Sequence, residues 1–242
     1  MRVALSILLT SLLGEPLLSA ADGGGFVTPE DFDHFVSHYY QKPEPERVVP
    51  SLRFMAQDLG LPSAEASERS GLVAFYGAIF RQDQGPATSR FQDLPALAER
   101  SPEFLFRVLW FANTPEARSL LEALGPPPGS VRRGQWEELR KAAPPDPLTM
   151  EIIDPGAIDV FWGSFFATGD EHFVERVIGA LALLRSEHDA LKIRIGASAE
   201  TSLVSNARQH EKVMEICKAR LPKEPKAVRR VLERVVARAT AP

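Results

Sequence analysis

The sequence predicts an all-α protein, and three observations indicate this fold class. Helix starts of the form Thr/Ser-Pro-Glu recur along the chain, apolar residues recur at spacings of three and four, and alternating strand patterns are rare. Proline is tolerated at the first helical position, and a preceding Ser or Thr accepts hydrogen bonds from the next free amides. We expect an antiparallel helical array or bundle in two helical halves. An irregular solenoid-like packing stays open as an alternative.

The first helix after the amino-terminal segment is predicted over residues 28–41. Thr28 is placed to cap this helix and Pro29 to occupy its first position. Acidic residues follow where the helix dipole favours them. Val27 and Phe32 have the spacing of a hydrophobic staple across the cap.

Three later segments are apolar on nearly all sides, a pattern that a surface helix does not show. They lie at residues 71–80, 104–112 and 157–167, and we expect them to be the central helices. Ser101 and Thr114, each followed by Pro-Glu, mark two helix starts in this region.

A segment rich in proline and glycine separates the two predicted halves and contains one short helix, expected at residues 135–142. Farther along, residues 191–195 alternate apolar and polar side chains with period two. They lie between helical patterns and have no partner strand, so a helix is preferred over a strand there.

The amino-terminal segment has the layout of a cleaved export signal. A positive start at Arg2 precedes an apolar run at residues 3–13, which is too short to cross a bilayer as a helix of about 20 residues. We therefore predict a periplasmic or secreted protein. The expected organisation is a signal peptide at 1–21, an N-terminal helical half at 22–125, a Pro/Gly-rich connection at 126–149 and a C-terminal half at 150–242 that ends in a basic amphipathic helix.

The amino-acid composition of the chain argues against several classes of function. The formal net charge is -4, and an acidic protein has no overall attraction to nucleic acid, so we expect no nucleic-acid partner. No later apolar run has spanning length, so we expect no membrane span. Cys217 is the only cysteine, which excludes an internal disulfide; a buried structural thiol is preferred over a nucleophile.

Charge is distributed unevenly along the chain. Residues 218–242 hold eight basic and two acidic side chains, a net charge of +6, which leaves -10 for the remainder. The polar face of the predicted helix at 225–239 carries four arginines: Arg229, Arg230, Arg234 and Arg238. This pattern predicts contact with an unknown protein or an anionic envelope component. Neutralisation of the acidic body of the same chain is the alternative, and it is slightly preferred.

One polar pair at four-residue spacing is a further candidate binding site. Asn206 and His210 are expected to share a helix face and to hydrogen-bond a neighbouring helix or a ligand, with the structural role preferred.

His34 and His38, with Asp31 a turn earlier, resemble a metal-binding stripe on one helix face. Zinc hydrolases of the HExxH type need a Glu directly after the first His, and Phe35 stands there. We therefore expect no metal site and no cofactor.

A hydrolase would have to assemble its site from residues dispersed along the sequence. The candidates are acids and histidines that adjoin in two clusters: Asp170, His172, Glu187 and His188. Adjacent helical residues diverge by about 100°, so neither cluster forms a dyad by spacing alone. Nucleophile elbows, phosphate loops and dinucleotide fingerprints are absent from the sequence.

The most distinctive string is FWGSFFATGD at residues 161–170, in which Thr168-Gly169-Asp170 is predicted to form a tight turn between two helices. Gly163 and other small residues of this string allow close approach of a neighbouring helix. With the segment SLVSNARQH at 202–210, the string resembles uncharacterised bacterial helical proteins that share an F-W-x-x-F-F-A-T-G-D turn and an S-L-x-x-N-A-x-x-H segment. That group has no established activity, so the resemblance implies a helical domain and no chemistry.

The sequence therefore favours an exported, non-catalytic helical protein that binds or scaffolds in the cell envelope. A hydrolase built from dispersed His and acidic residues is the alternative.

Overall fold

The computed structural model describes residues 25–57, 70–82, 102–144, 146–186 and 188–241. Within these ranges the chain is helical and contains no strand, which confirms the predicted all-α class. The described α-helices are α1 (Pro29–His38), α2 (Val48–Gln57), α3 (Ser70–Gln82), α4 (Pro102–Ala112), α5 (Pro115–Ala123), α6 (Arg133–Lys141), α7 (Gly156–Thr168), α8 (Glu171–Ala180), α9 (Ala190–Gln209), α10 (Glu211–Arg220) and α11 (Lys226–Thr240).

The chain divides into two compact units. One unit takes its described residues from Asp22–Met150 and from Trp162–Gly169, and the other from Glu151–Phe161 and the chain from Asp170 onward. Helix α7 therefore contributes its carboxyl-terminal part to the first unit and its beginning to the second. The predicted signal peptide at 1–21 and the predicted cap at Ser101 lie outside the described residues.

The predicted proline-marked starts form as expected in the first unit. The Thr28 hydroxyl accepts a hydrogen bond from the Asp31 amide at 3.2 Å, and the Thr114 hydroxyl accepts one from the Ala117 amide at 3.1 Å. Helix α1 ends at His38, three residues before the predicted end. The residue before a proline is disfavoured in the helical region, so the chain leaves the helix ahead of Pro43.

The predicted staple between Val27 and Phe32 does not form, because Val27 is 77% exposed. Phe26 takes its place: its ring centroid lies 6.0 Å from that of Phe32 and 5.1 Å from that of Phe35. An aromatic ring covers more apolar surface than valine, and edge-to-face pairs add to the burial.

The three segments predicted to be central are buried. Every residue of α3 from Gly71 to Phe80 is buried, as are most residues of α4. In the first unit, α7 approaches α3 so closely that a Cβ built on Gly163 would lie 1.9 Å from the Gly71 carbonyl oxygen. The predicted close approach at Gly163 is therefore confirmed.

The short helix predicted in the Pro/Gly-rich connection is α6, and its Trp136 side chain holds it against α5. Trp136 is buried, and its Nε1 donates a hydrogen bond of 2.8 Å to the Leu121 carbonyl in α5. The indole is thus satisfied while its ring fills the space beside Gly125.

The predicted tight turn lies between α7 and α8. Gly169 has a φ of 69°, a left-handed conformation that favours glycine, and the Asp170 carboxylate then accepts a hydrogen bond from the His172 amide to cap α8. Residues 191–195 lie inside α9, so helix is the correct interpretation of that segment. In the part of the chain that the structure describes, no helix combines the length and apolarity that crossing a membrane requires.

Candidate binding surface on the C-terminal helix

Helix α11 has one apolar face and one basic face because its residues repeat with helical spacing. The apolar face is buried and consists of Val228, Val231, Leu232 and Val235. It packs against α9 and against the 3-10 segment Leu181–Arg185. Burial of these four side chains, worth about 1.5 to 3 kcal/mol each, fixes the rotation of the helix and turns the basic residues outward.

The basic face differs from the predicted set of four arginines. Lys226, Arg230, Arg234 and Arg238 are four residues apart and so form one stripe along α11. Arg229 lies beside the stripe, and its Nη2 donates to the Glu224 carbonyl at 2.9 Å. The place of Lys226 in the stripe could be predicted from its spacing in the sequence. The contact of Arg229 could not be predicted, because it depends on the turn that precedes the helix.

Glu200 of α9 faces the carboxyl-terminal part of the stripe. Its carboxylate lies 3.3 Å from the Arg234 guanidinium and 3.6 Å from that of Arg238. The Glu200 side chain is 15% exposed, while Arg234 and Arg238 remain 55% and 59% exposed. One largely buried acid thus pairs with two arginines whose side chains stay more than half exposed.

The Arg230 side chain has no hydrogen bond or ion pair with any other residue of the described chain, and it is exposed. At the end of the helix, Arg208 of α9 donates to the Arg238 carbonyl at 2.7 Å and so satisfies one terminal carbonyl. The stripe (Lys226, Arg230, Arg234 and Arg238) therefore sits on an anchored helix and presents more guanidinium donors than the chain itself uses. Such donors match carboxylates and phosphates in geometry.

A second charged network anchors the turn before α11. The Glu224 carboxylate, whose side chain is 8% exposed, accepts from the Arg220 Nε at 2.8 Å. The Arg220 Nη1 donates to Glu175 of α8 at 3.0 Å. This network uses its charges internally, so Arg220 does not belong to the exposed stripe.

The two other predicted site residues have structural positions. The Asn206 amide donates to the Ser202 carbonyl of its own helix at 3.0 Å. His210 is 1% exposed and forms the junction between α9 and α10. The structure does not bring either residue to the arginine stripe by any described contact.

The hydrolase candidates come together only in part. His172 Nδ1 lies 2.7 Å from the Asp170 carboxylate, and this hydrogen bond raises the pKa of His172. A carboxylate that holds Nδ1 leaves Nε2 to act as a base, yet the His172 side chain is 64% exposed, whereas a general base works best in a site that excludes water. His188 has a φ of 69° in a separate turn, and Glu187 lies outside the described residues.

The one cysteine is buried, as predicted. Cys217 is 0% exposed in α10, and burial raises the pKa of its thiol to about 12. A thiol that stays protonated is a poor nucleophile, which supports a structural role.

A carboxyl group that the sequence did not single out is Asp159 in α7. Burial, with a smaller contribution from Asp154, raises the pKa of Asp159 to about 6. The sequence could not predict this raised pKa, because the burial of Asp159 depends on how the rest of the unit packs against it. A half-buried acid that titrates near neutral pH can exchange protons, but no nucleophile contacts it in the described residues.

The Asp159→Asn variant is expected to be more stable than the natural protein at about pH 8, by about 1 to 3 kcal/mol. The folded pKa of about 6 exceeds the ordinary value of 3.8, so the folded state favours the protonated acid. Ionisation of Asp159 therefore costs stability as the pH rises from about 4 through about 6. Urea unfolding at several pH values measures the difference, which should vanish near pH 4.

Glu233→Gln, on the exposed side of α11 in the same unit, is the matched control. Its effect should stay within about 0.5 kcal/mol at every pH. A pH-independent difference for Asp159→Asn would contradict the assignment of a raised pKa.

Comparison with known proteins found no matching family model, no matching curated protein and no matching solved structure. The resemblance noted for residues 161–170 and 202–210 stays a prediction.

Proposed function

We propose that this chain is an exported, non-catalytic binding or scaffolding protein of the cell envelope, and that the stripe on α11 binds an anionic partner. The observation that carries the proposal is the surplus of guanidinium groups on that stripe. Two acids outside residues 218–242, Glu175 and Glu200, pair with basic residues of this segment. The segment carries a net charge of +6. The stripe itself has four basic side chains and one pairing acid, Glu200, so about three positive charges remain uncompensated by described pairs.

Neutralisation of the acidic body accounts for only part of the stripe. Glu200 engages Arg234 and Arg238 from one side, which fixes their orientation. Exposed ion pairs contribute little stability, typically less than about 1 kcal/mol, so intramolecular pairing alone gives a weak reason for so many arginines. An external carboxylate or phosphate would find the guanidinium groups of Arg234 and Arg238 already oriented by Glu200, which lowers the entropic cost of binding.

Vesicle binding tests the proposal with the full chain. Vesicles containing one-third phosphatidylglycerol supply a defined anionic surface, and phosphatidylcholine vesicles supply the neutral reference. The double variant Arg230→Gln/Arg234→Gln should bind the anionic vesicles about thirtyfold more weakly, because each arginine near such a surface contributes about 1 kcal/mol. Binding by the natural protein should fall steeply as salt approaches 0.15 M, where the Debye length is about 8 Å.

Arg118→Gln/Arg140→Gln removes the same charge from two helices of the other unit and is the matched control. It should bind as the natural protein does. Equal weakening by both double variants would mean that net charge alone acts. Unchanged vesicle binding with lowered thermal stability in Arg230→Gln/Arg234→Gln would show that the stripe acts within the chain, and the proposal would be wrong.

A separate measurement tests the proposed export of the protein. The intact mass of protein recovered from the periplasm or the medium should correspond to a start near Ala21 or Asp22. A full-length cytoplasmic product would contradict it.

A hydrolase remains the second candidate only through the contact between Asp170 and His172. His172→Ala separates the two functions, because it removes the base and leaves the arginine stripe intact. An esterase or amidase activity that this variant abolishes would favour the hydrolase.

A further inference from the structure

We propose that the first turn of α9 is a membrane-binding tip that brings the stripe onto an anionic lipid bilayer, a proposal that rests on the proposed binding function of the stripe. Four consecutive residues of this turn are exposed: Leu191, Lys192, Ile193 and Arg194. Successive helical residues are about 100° apart, so four of them cover nearly the whole circumference of the helix. Burial begins at Ile195. These four residues, here called the tip, therefore project from the body of their unit.

Two residues of the tip are large and apolar. Leu191 is 40% exposed and Ile193 is 41% exposed. A single exposed apolar side chain is ordinary on a protein surface, but here two occur within three positions on a projecting turn. At the surface of a bilayer, such side chains can enter the acyl region, which removes their apolar surface from water. A soluble polyanion offers no apolar phase, so the tip favours a bilayer over free phosphate.

Basic side chains alternate with the apolar ones in the tip. The Arg194 side chain is exposed and has no hydrogen bond or ion pair with any other described residue. The Lys192 ammonium lies 3.3 Å from the Asp189 carboxylate, and the lysine side chain stays 54% exposed. Long basic side chains can reach lipid phosphates while their apolar neighbours lie deeper. Arg194 can therefore contact headgroups while Ile193 enters the bilayer.

Two contacts with α9 fix the direction of α11. Glu200 pairs with Arg234 and Arg238, and Arg208 donates to the Arg238 carbonyl. Arg208 lies eight residues beyond Glu200, which is about 12 Å along the helix axis. In antiparallel helices, this shift would carry Arg208 toward the amino end of α11 and away from Arg238. The two helices therefore run in the same direction.

The tip and the start of the stripe lie at the same end of the unit, because α9 and α11 are parallel and pack against each other. Ile193 precedes Glu200 by seven residues, and the residue seven positions before Arg234 is Ala227. The tip is thus level with Lys226, the first residue of the stripe. This end of the unit combines exposed apolar and basic side chains, as a surface that binds an anionic bilayer requires.

Binding of the full chain to two anionic probes tests the tip. Vesicles of one-third phosphatidylglycerol in phosphatidylcholine supply headgroups and acyl chains, whereas soluble polyphosphate supplies phosphate groups alone. Leu191→Gln/Ile193→Gln should weaken binding to the vesicles about tenfold or more, because insertion of the two apolar side chains is lost. It should leave binding to polyphosphate unchanged. Val27→Gln/Val131→Gln removes two exposed apolar side chains from the other unit and is the matched control, expected to bind both probes as the natural chain does.

A fluorescent label on the tip measures insertion directly. In Ile193→Cys, a thiol-reactive and environment-sensitive fluorophore attaches at the tip, because the natural Cys217 is buried. Its emission should shift to the blue with the anionic vesicles and stay unchanged with polyphosphate. The same label in Val131→Cys should show no shift with either probe. Circular dichroism confirms that each variant is folded.

The outcomes separate this proposal from the proposed function of the stripe. Weaker vesicle binding by Arg230→Gln/Arg234→Gln, with natural binding by Leu191→Gln/Ile193→Gln and no shift of the label, would overturn the membrane-binding tip alone. Equal weakening of vesicle and polyphosphate binding by Leu191→Gln/Ile193→Gln would also overturn it, since polyphosphate offers nothing for insertion. Unchanged vesicle binding by both double variants would overturn both proposals.

Discussion

Replacing Phe165 by alanine is expected to lower the free energy of unfolding by about 3 to 5 kcal/mol. The ring is fully buried in the first unit, where its centroid lies 4.8 Å from that of Tyr40 and 6.0 Å from that of Trp162. Truncation loses the transfer free energy of the ring and the contacts of three neighbouring aromatic rings, among them Phe166 at 5.7 Å. Urea unfolding followed by circular dichroism measures the loss.

Val131→Ala is the control for this prediction, because Val131 belongs to the same unit and is 99% exposed. Its effect should lie within about 0.5 kcal/mol. If Phe165→Ala kept the stability of the natural protein, the ring would not be part of the core and the aromatic string would have to be reconsidered as a ligand site.

Gly163→Ala is expected to destabilise the protein by about 3 kcal/mol or more, at or beyond the upper end of overpacking effects. The added Cβ would lie 1.9 Å from the Gly71 carbonyl oxygen and 2.8 Å from its carbonyl carbon. These are backbone atoms, so no side-chain rotation relieves the overlap and α7 has to move away from α3. The gain in helix propensity, about 1 kcal/mol, is too small to compensate.

Gly179→Ala provides the matched control, since Gly179 is also helical and a Cβ there meets nothing within 4 Å. Alanine should leave stability unchanged or raise it by up to about 1 kcal/mol. Thermal unfolding of the two variants should therefore move in opposite directions. Equal shifts would mean that the approach of Gly163 to Gly71 does not limit the packing of α7.

Much of the fold could be predicted because its determinants are local. Thr114 and Pro115 specify a helix start through one hydrogen bond that spans three residues, and α5 begins there. Gly169 and Asp170 specify a turn in the same way. The continuous apolar run of α3 required burial on all sides irrespective of its partners.

The parts that could not be predicted depend on residues far apart in sequence. Asp31 pairs with Arg47 across 16 positions, which removes an oxygen donor from the histidine pair. Arg234 meets Glu200 across 34 positions, which orients part of the stripe. Spacing shows which side chains share a helix face, but the identity of the opposing residue is set by helix packing.

The burial of Cys217 has a consequence for the ageing of the protein under oxidising conditions. While the chain is folded, its thiol is inaccessible and protonated, so its oxidation to a disulfide with the Cys217 of a second chain cannot begin. Unfolding exposes the thiol and returns its pKa to the ordinary value. Each chain has one thiol, so when an oxidant such as molecular oxygen removes two electrons and two protons from two exposed thiols, the covalent product is a dimer. This dimer forms only from opened molecules, and its slow accumulation records how often the native state has been lost.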